Sequence, residues 1–174
     1  MSTSTATTPA PALLLSAATQ QRFAREVAKY PADQRQSAVM ACLAVVQQER
    51  GHISAASEEA IASYLGMPPM AVREVTTFYN MFNQRPVGQF KLNVCTNLPC
   101  QLRDGQKALE YLCHKLGVED GGTSADGLFT VSKSECLGAC ADAPVLLVND
   151  RQMVSFMSDE RLDELIDLLK SQAK

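Results

Sequence analysis

Apolar residues in the first half of the chain recur every three to four positions, which is the period of an amphipathic α-helix. Phe23 and Val27 begin this pattern, and Val72, Val75 and Phe78 continue it. Glycine and proline interrupt it at intervals, as expected where helices start or end. The pattern predicts four helices, at 19–29, 33–50, 57–65 and 69–82.

The limits of these helices are predicted from capping and turn residues. Thr19 and Ser57 are candidate N-caps, because a hydroxyl group accepts a hydrogen bond from a free backbone N–H of the first turn. Asp33, with Gln36 three residues later, has the spacing of a capping box at the start of the second helix. The other limits are assigned from glycine and proline, at Gly51, Gly66 and Pro68-Pro69.

The hydrophobic period changes to that of a β-strand after Pro86-Val87-Gly88. The pattern then predicts strands at 90–94 and 128–131, a helix between them at 102–116, a hairpin at 145–156 and a last helix capped by Ser158. This order, β-α-β followed by β-β-α, predicts an α+β fold. A four-stranded mixed sheet flanked by helices satisfies it, and that is the thioredoxin-like arrangement.

Composition divides the chain into three predicted segments. Residues 1–18 are rich in Ser, Thr, Ala and Pro and contain no charged side chain, so we expect a disordered tail. This stretch has neither the basic start of a secretory signal nor the arginines of an organellar transit peptide. Residues 19–85 are predicted to form a helical domain, and residues 86–174 a thioredoxin-like domain.

Charge and hydropathy exclude two classes of partner. The net charge is −3, and residues 89–174 carry nine Lys and Arg against thirteen Asp and Glu, so no basic face for nucleic acid is expected. The apolar runs, such as 145–148, have the length of a strand, whereas a membrane span needs roughly 20 residues. Without an export signal, the six cysteines are expected in a reducing compartment, where metal or redox chemistry is favoured over structural disulfides.

Four of the six cysteines form two closely spaced pairs, each in a loop at the predicted end of a strand. Four residues separate Cys95 from Cys100, and three separate Cys136 from Cys140. Parallel pairing of the two strands would bring both loops together. Four thiolates are the ligand set of a 2Fe–2S cluster, whose oxidised form then carries a double negative charge. The sequence therefore predicts one 2Fe–2S cluster on these four cysteines.

Other uses of this quartet are weighed on the same spacing. Structural zinc also accepts four cysteines with two to four residues between paired ligands, so spacing alone leaves zinc open. A thioredoxin-type dithiol needs Cys-x-x-Cys, which is absent. A Rieske centre needs two histidine ligands, but His52 and His114 lie outside both loops. Cys42 and Cys113 fall within predicted helices and are interpreted as small buried hydrophobes.

Two further functions are tested against the pattern. Residues 58–79 resemble a helix-turn-helix, which would suit a zinc-stapled DNA-binding regulator. Its recognition helix would offer Arg73 and Asn80 to DNA, while Glu74 would repel phosphate, so this interpretation is disfavoured. No G-x-G-x-x-G motif follows a strand, so we predict that the chain binds neither NAD nor flavin by itself.

These motifs also carry a family resemblance. The segments 95–100 (Cys-Thr-Asn-Leu-Pro-Cys) and 135–140 (Glu-Cys-Leu-Gly-Ala-Cys), with Ala143-Pro144 after them, closely resemble the thioredoxin-like 2Fe–2S subunit of the NADH dehydrogenase module of respiratory complex I. Tyr64-Leu65-Gly66 and Thr77-Phe78-Tyr79 match as well, and the similarity covers 24–170. Members often carry glycine directly after Leu-Arg, where this chain has Asp104 before Gly105.

The resemblance implies a function that the residues alone do not. In that family all four cysteines bind the cluster, and the subunit transfers electrons while docked on the FMN- and NADH-binding flavoprotein of an NADH:quinone oxidoreductase. It implies further partners among complex I subunits, and a cytoplasmic location peripheral to the inner membrane of a bacterium. Related subunits serve NAD-linked hydrogenases and formate dehydrogenases, so a diaphorase subunit of such an enzyme is the alternative.

Overall fold

The first of two units in the chain consists of helices. The computed structural model describes residues 15–173, and they divide between Pro86 and Val87. A 3₁₀ segment at Ala32–Ala38 precedes the second helix. The α-helices of this unit are α1 (Ala17–Val27), α2 (Val39–Arg50), α3 (Ala55–Leu65) and α4 (Pro69–Phe78).

Helix α1 begins two residues before its predicted cap. Ser16 is the N-cap, since its Oγ accepts a hydrogen bond from Thr19 N–H at 3.1 Å. The prediction of Thr19 as the cap is wrong, because Thr19 is buried and its hydroxyl donates to Glu49 Oε2 at 2.6 Å. Residues 15–18 were predicted as part of a disordered tail at 1–18, but they belong to the folded helical unit. Residues 1–14 lie outside the described part of the chain.

The starts of α2 and α3 also differ from prediction. Asp33 lies in the 3₁₀ segment, whose Gln34 leaves helical geometry, so the α-helix starts only at Val39 and no capping box forms. Ser54, not Ser57, caps α3, because its Oγ accepts from Ser57 N–H at 3.2 Å. The predicted C-terminal glycines are confirmed, and Gly51 and Gly66 both have the positive φ that ends a helix in a left-handed residue.

Helix α4 starts at the predicted proline but ends four residues early. Pro69 occupies its first position, as predicted. Tyr79 takes extended backbone, with φ −94° and ψ 105°, and ends the helix after Phe78. Phe82 then returns to the core of the unit, whereas Phe78 is 80% exposed. The core also holds Phe23, Leu43 and Ile61, all fully buried.

The second unit is built on a four-stranded sheet in the order β2-β1-β3-β4. Strands β1 and β2 are parallel, while β1–β3 and β3–β4 are antiparallel, which confirms the predicted α+β class with a mixed sheet. The elements are β1 (Phe90–Cys95), α5 (Leu98–Gln101), α6 (Gly105–Leu116), β2 (Phe129–Ser134), β3 (Leu146–Val148), β4 (Gln152–Val154) and α7 (Asp159–Ser171).

Helices α6 and α7 pack against this sheet. Leu92 of β1 and Val131 of β2 pack with Leu112 of α6 and Ile166 of α7, and all four are fully buried. The predicted hairpin is confirmed as β3–β4, with positive φ at Asn149 and Asp150 in its turn. Ser158 caps α7 as predicted, its Oγ accepting from Arg161 N–H at 3.5 Å.

The helix predicted at 102–116 starts three residues late, at Gly105, and is preceded by a short helix that was not predicted. A short turn, α5, already carries Cys100, and the chain then breaks before α6. Asp104 lies at the break with φ +66°, a left-handed conformation that aspartate tolerates better than most residues with a side chain. The break ends α5 directly after the second cysteine and separates it from the longer helix that follows.

We expect substitutions at Asp104 to report this conformation. Asp104→Val should lower the free energy of unfolding by about 1–2 kcal/mol, because a β-branched residue bears the full cost of the left-handed region. Asp104→Gly should stay close to the parent, since glycine removes the strain and loses more entropy on folding. Either change breaks only the exposed ion pair with Lys107. Urea unfolding measures both variants, and equal stability of the valine variant would contradict the assignment.

Candidate metal centre

The parallel pairing of β1 and β2 brings the two cysteine loops together. Cys95 is the last residue of β1 and pairs in register with Ser134, the last residue of β2. Thr96 N–H extends the pairing by donating to Ser134 O at 3.0 Å. Cys136 follows two residues later, so the expectation that both loops meet at one end of parallel strands is confirmed.

The two cysteine pairs differ in exposure. Cys95 and Cys100 are each 1% exposed, whereas Cys140 is half-buried and Cys136 is exposed. The Cys95 thiol reaches across to the second loop and donates to Glu135 O at 3.0 Å. The centre therefore has a buried side formed by the first pair and an open side formed by the second.

Local backbone geometry presents each thiol. Cys100 is held on α5, whose first turn contains Pro99. Gly138, midway between Cys136 and Cys140, has φ +75°, a turn conformation that glycine supplies without strain. Cys140 then opens a 3₁₀ turn at Cys140–Asp142. These features place four thiols from two loops around one small region.

Apolar residues close this region on the inner side. The buried side chains of Cys95 and Cys100 pack with Ala143 and Val145, which follow the second pair in sequence. Leu137 and Ala139, from within the second loop, pack against the same cluster. Gly105 at the start of α6 lies so close that an added Cβ would be 2.7 Å from Cys95 O and 2.9 Å from Cys100 O. The region is buried on one side and closely approached by backbone.

The pKa of Cys100 responds to the other three cysteines of the two loops. Burial raises the pKa of Cys100 to about 12, and the hydrogen bond to Cys95 and the charges of Cys95, Cys140 and Cys136 add to the increase. Thiolates are the metal-binding form, and bound cations are what permit several of them to ionise together. Four cysteines from two adjoining loops, able to bind as thiolates, fit a cationic iron centre as a donor set.

The four cysteines are not arranged around a single metal ion. Within residues 15–173, no three His, Cys, Asp or Glu side chains are grouped closely enough to hold one metal ion. A 2Fe–2S cluster divides its four protein ligands between two irons, so it does not require three ligands around one ion. Assignment of the four cysteines as ligands stays a prediction, with zinc as its competitor.

Sequence reasoning missed one residue that connects the two loops. Arg103, three residues after Cys100, donates from Nη1 to Ala141 O at 3.0 Å, and Ala141 directly follows Cys140. Its backbone N–H also donates to Cys100 O at 3.0 Å. Arg103 thereby ties the first loop to the second and sets a positive charge beside the residue that follows Cys140. Its only signal in the sequence is its position shortly after the second cysteine.

The spare cysteines and the histidines lie elsewhere, as expected. Cys42 is fully buried in α2, where burial, with a smaller effect from Glu26, raises its pKa to about 12. Cys113 is half-buried in α6, and burial raises its pKa too. His52 follows the C-cap of α2, and His114 is exposed in the last turn of α6.

Thiol alkylation of the metal-free chain should follow these environments. Cys136 is exposed, so we expect it to react first with iodoacetamide at neutral pH. Cys42 should be among the last to react, because it is inaccessible and its raised pKa leaves almost no thiolate below about pH 9. Mass spectrometry of timed samples gives the order. Early labelling of Cys42 would contradict the description of the helical core.

Comparison with known proteins identifies a family and several relatives of this chain. The family described as "Thioredoxin-like [2Fe-2S] ferredoxin" matches residues 23–170. NADH-quinone oxidoreductase subunit 2 of Thermus thermophilus is 40% identical over 153 residues, 87% of this chain and 84% of that one. A subunit of the NADH-quinone oxidoreductase of Rhizobium meliloti is 39% identical over 144 residues, 83% of this chain and 84% of that one.

A solved structure shares the fold over most of the chain. The crystal structure of an NAD+-reducing [NiFe]-hydrogenase in the H2-reduced state matches 76% of this chain with a TM-score of 0.64. The sequences are 23% identical, and the match spans 22% of the hydrogenase chain. At that identity the likeness concerns the fold alone.

Proposed function

The chain belongs to the thioredoxin-like 2Fe–2S ferredoxin family, and we propose that it is the electron-transfer subunit of the NADH-oxidising module of an NADH:quinone oxidoreductase. The observation that carries the proposal is the meeting of two cysteine loops at one end of the parallel strands β1 and β2. Relatives that share about 40% of their residues over most of both chains bear the names of that enzyme's subunits.

Cys95, Cys100, Cys136 and Cys140 would hold one 2Fe–2S cluster. When bound, such a cluster stores and passes on single electrons. The chain's own residues set the conditions for this chemistry. Ala143, Val145 and the buried first pair keep water from one side, and exclusion of water and nearby charge both tune a metal site's potential.

Arg103 contributes a positive charge next to the cysteine loops. Its guanidinium donates to Ala141 O and so stays beside the loop of Cys136 and Cys140. A positive charge there partly offsets the negative charge of four thiolates, which grows when an electron is added. Arg103 would thus make reduction easier than in a chain that lacks this charge, and it would help to hold both loops in position.

NADH oxidation is assigned to a partner, since no dinucleotide fingerprint follows any strand of this chain. We expect that the purified chain neither binds nor oxidises NADH. Isothermal titration of the isolated chain with NADH should show no binding heat. Tight binding would contradict the assignment of the NADH site to a partner. The partner is then a flavoprotein that carries FMN and the NADH site, beside the other subunits of the complex.

The helical unit supplies a surface for that partner. Met70, Phe78, Tyr79 and Met81, on α4 and just after it, are 38–80% exposed. Apolar residues exposed together on a protein surface commonly mark a partner site. This α4 surface, defined by those four residues, anchors the chain to the flavoprotein.

The proposed location is the cytoplasmic side of a bacterial inner membrane, peripheral to the membrane and held there by the complex. Across residues 15–173, no helix combines the length and the apolar character that membrane crossing requires. The chain would be held at the membrane by its protein partners, which it contacts through the α4 surface.

A diaphorase subunit of an NAD-linked hydrogenase or formate dehydrogenase is the second candidate. The fold likeness to the NAD+-reducing [NiFe]-hydrogenase is consistent with this candidate and does not favour it over the first. The regulator alternative is weakened, because Arg73 of α4 is ion-paired with the buried Glu58 at 3.3 Å and is not held toward DNA. Residues 54–80 contain no other lysine or arginine that could contact DNA in its place.

Copurification tests the proposed function. The full chain, tagged and expressed in its own host, should retain a flavoprotein and the other subunits of an NADH:quinone oxidoreductase, identified by mass spectrometry. Addition of NADH to that assembly should generate the paramagnetic signal of a reduced iron–sulfur cluster. Recovery of hydrogenase subunits would support the second candidate, and recovery with promoter DNA would overturn both.

A further inference from the structure

Phe156 holds a backbone conformation that large side chains rarely adopt. Its φ is +56°, in the left-handed region, where an aromatic residue is strained. Neighbouring groups fix this conformation, because Phe156 N–H donates to Asp142 O at 2.8 Å and Phe156 O accepts from Ser158 N–H at 3.0 Å. Burial of the ring does not compensate for the strain, since Phe156 is 49% exposed.

The ring stands between two grooves of the second unit. One groove, of about 650 Å³, runs past Lys107 of α6 over a floor that includes Pro144. The other, of about 400 Å³, lies between Met153 of β4 and Leu168 of α7. Met153 and Leu168 are also exposed, by 40% and 53%. We call Phe156, Met153 and Leu168 the Phe156 ridge.

Acidic residues dominate around the ridge. The two grooves are lined by five carboxylates and three cations. Helix α7, which borders both, carries five carboxylates against Arg161 and Lys170: Asp159, Glu160, Asp163, Glu164 and Asp167. A surface with an apolar centre and an acidic border is complementary to an apolar recess bordered by lysine and arginine.

The ridge is linked to the candidate metal centre. Asp142, which accepts the hydrogen bond from Phe156, ends the 3₁₀ turn that Cys140 begins. Met157 N–H adds a second link by donating to Pro144 O at 3.0 Å. A protein seated on the ridge would therefore lie beside the loop of Cys136 and Cys140, whose side of the centre is open.

We propose that the Phe156 ridge is a docking surface for a basic patch of the flavoprotein partner, with the Phe156 ring inserted in an apolar recess of that protein. The proposal rests on the proposed function, and it adds a second contact on the thioredoxin-like unit to the α4 surface. The strained backbone explains how a bulky ring is kept exposed at this position. The stability lost to strain is offset by association.

One substitution separates this role from ordinary surface exposure. Phe156→Asn should raise the melting temperature of the full chain by about 2–4 °C, since asparagine tolerates left-handed φ. The same variant should bind the coexpressed flavoprotein at least about tenfold more weakly, as expected for loss of an aromatic anchor. Because the variant is more stable, weaker binding cannot be attributed to misfolding.

Matched controls define the outcome. Tyr30→Asn removes an exposed aromatic residue of the other unit and should leave affinity unchanged. Glu164→Lys, in the groove beside Leu168, should weaken binding and reduce its salt dependence, whereas Glu119→Lys, on the loop after α6, should not.

Three results overturn the inference. Undiminished affinity of the Phe156→Asn variant would show that the ring is not an anchor. Loss of a concentration-dependent dimer in sedimentation, with flavoprotein binding intact, would show that a second copy occupies the ridge. Unchanged melting temperature would remove the strain argument. Failure of the parent chain itself to bind the flavoprotein would instead count against the proposed function.

Discussion

Replacement of any one of Cys95, Cys100, Cys136 or Cys140 by serine is expected to remove most of the visible absorbance of the protein as purified. Each thiolate would be one of only four protein ligands, and a neutral hydroxyl group is a far weaker ligand for iron. Loss of a residue that only hydrogen-bonds to a metal ligand reduces metal affinity by about 10–100-fold. Loss of a ligand itself should reduce it by at least that much. Absorption spectra and iron content of the anaerobically purified variants measure the effect.

The two remaining cysteines provide matched controls. Cys42→Ala and Cys113→Ala should keep the parent spectrum, because these thiols lie within α2 and α6 and in neither cysteine loop. Cys42→Ala should lower stability modestly, since it removes a fully buried sulfur from the helical core. Loss of the visible spectrum in either control, with retention in a serine variant, would reverse the ligand assignment.

Removal of the helical unit is expected to abolish assembly while leaving the cluster in place. Residues 84–174 contain the complete sheet, helices α5 to α7 and all four candidate ligands. Their core of strand and helix residues is separate from the core of the helical unit, so we expect a folded, cluster-bearing fragment. Without the α4 surface, this fragment should not copurify with the flavoprotein.

A variant of the full chain tests the same surface without truncation. Phe78 is 80% exposed, so Phe78→Glu should leave the fold intact and place a charge within the α4 surface. We expect binding to the flavoprotein at least about tenfold weaker, the loss typical of an interface aromatic. Assembly of the fragment at undiminished affinity would move the whole docking function to the thioredoxin-like unit.

Periodicity was sufficient to predict the order of the four strands and of the longer helices. Buried apolar residues repeat with the period of the element that carries them, so Leu92 and Val131 identified strands and Leu112 identified a helix. The meeting of Cys95 with the second loop followed from parallel strands alone. Each of these inferences needed only local burial and one topological step.

The exact helix caps and the unusual backbone conformations depended on contacts with residues distant in the sequence, which a single sequence does not reveal. Ser16 caps α1 in place of Thr19 because Glu49, thirty residues away, binds the Thr19 hydroxyl. The left-handed Phe156 is held by a hydrogen bond to Asp142 from another segment, and a phenylalanine gives no local sign of positive φ. Arg103 likewise became informative only when Ala141 was found beside it.

Analysis of iron, zinc and acid-labile sulfide in the anaerobically purified chain tests the central claim most directly. The account predicts a brown protein in which iron and sulfide are equimolar, at about two of each per chain, with zinc at trace level. Stoichiometric zinc without sulfide would contradict it, and would make the quartet of Cys95, Cys100, Cys136 and Cys140 a structural site.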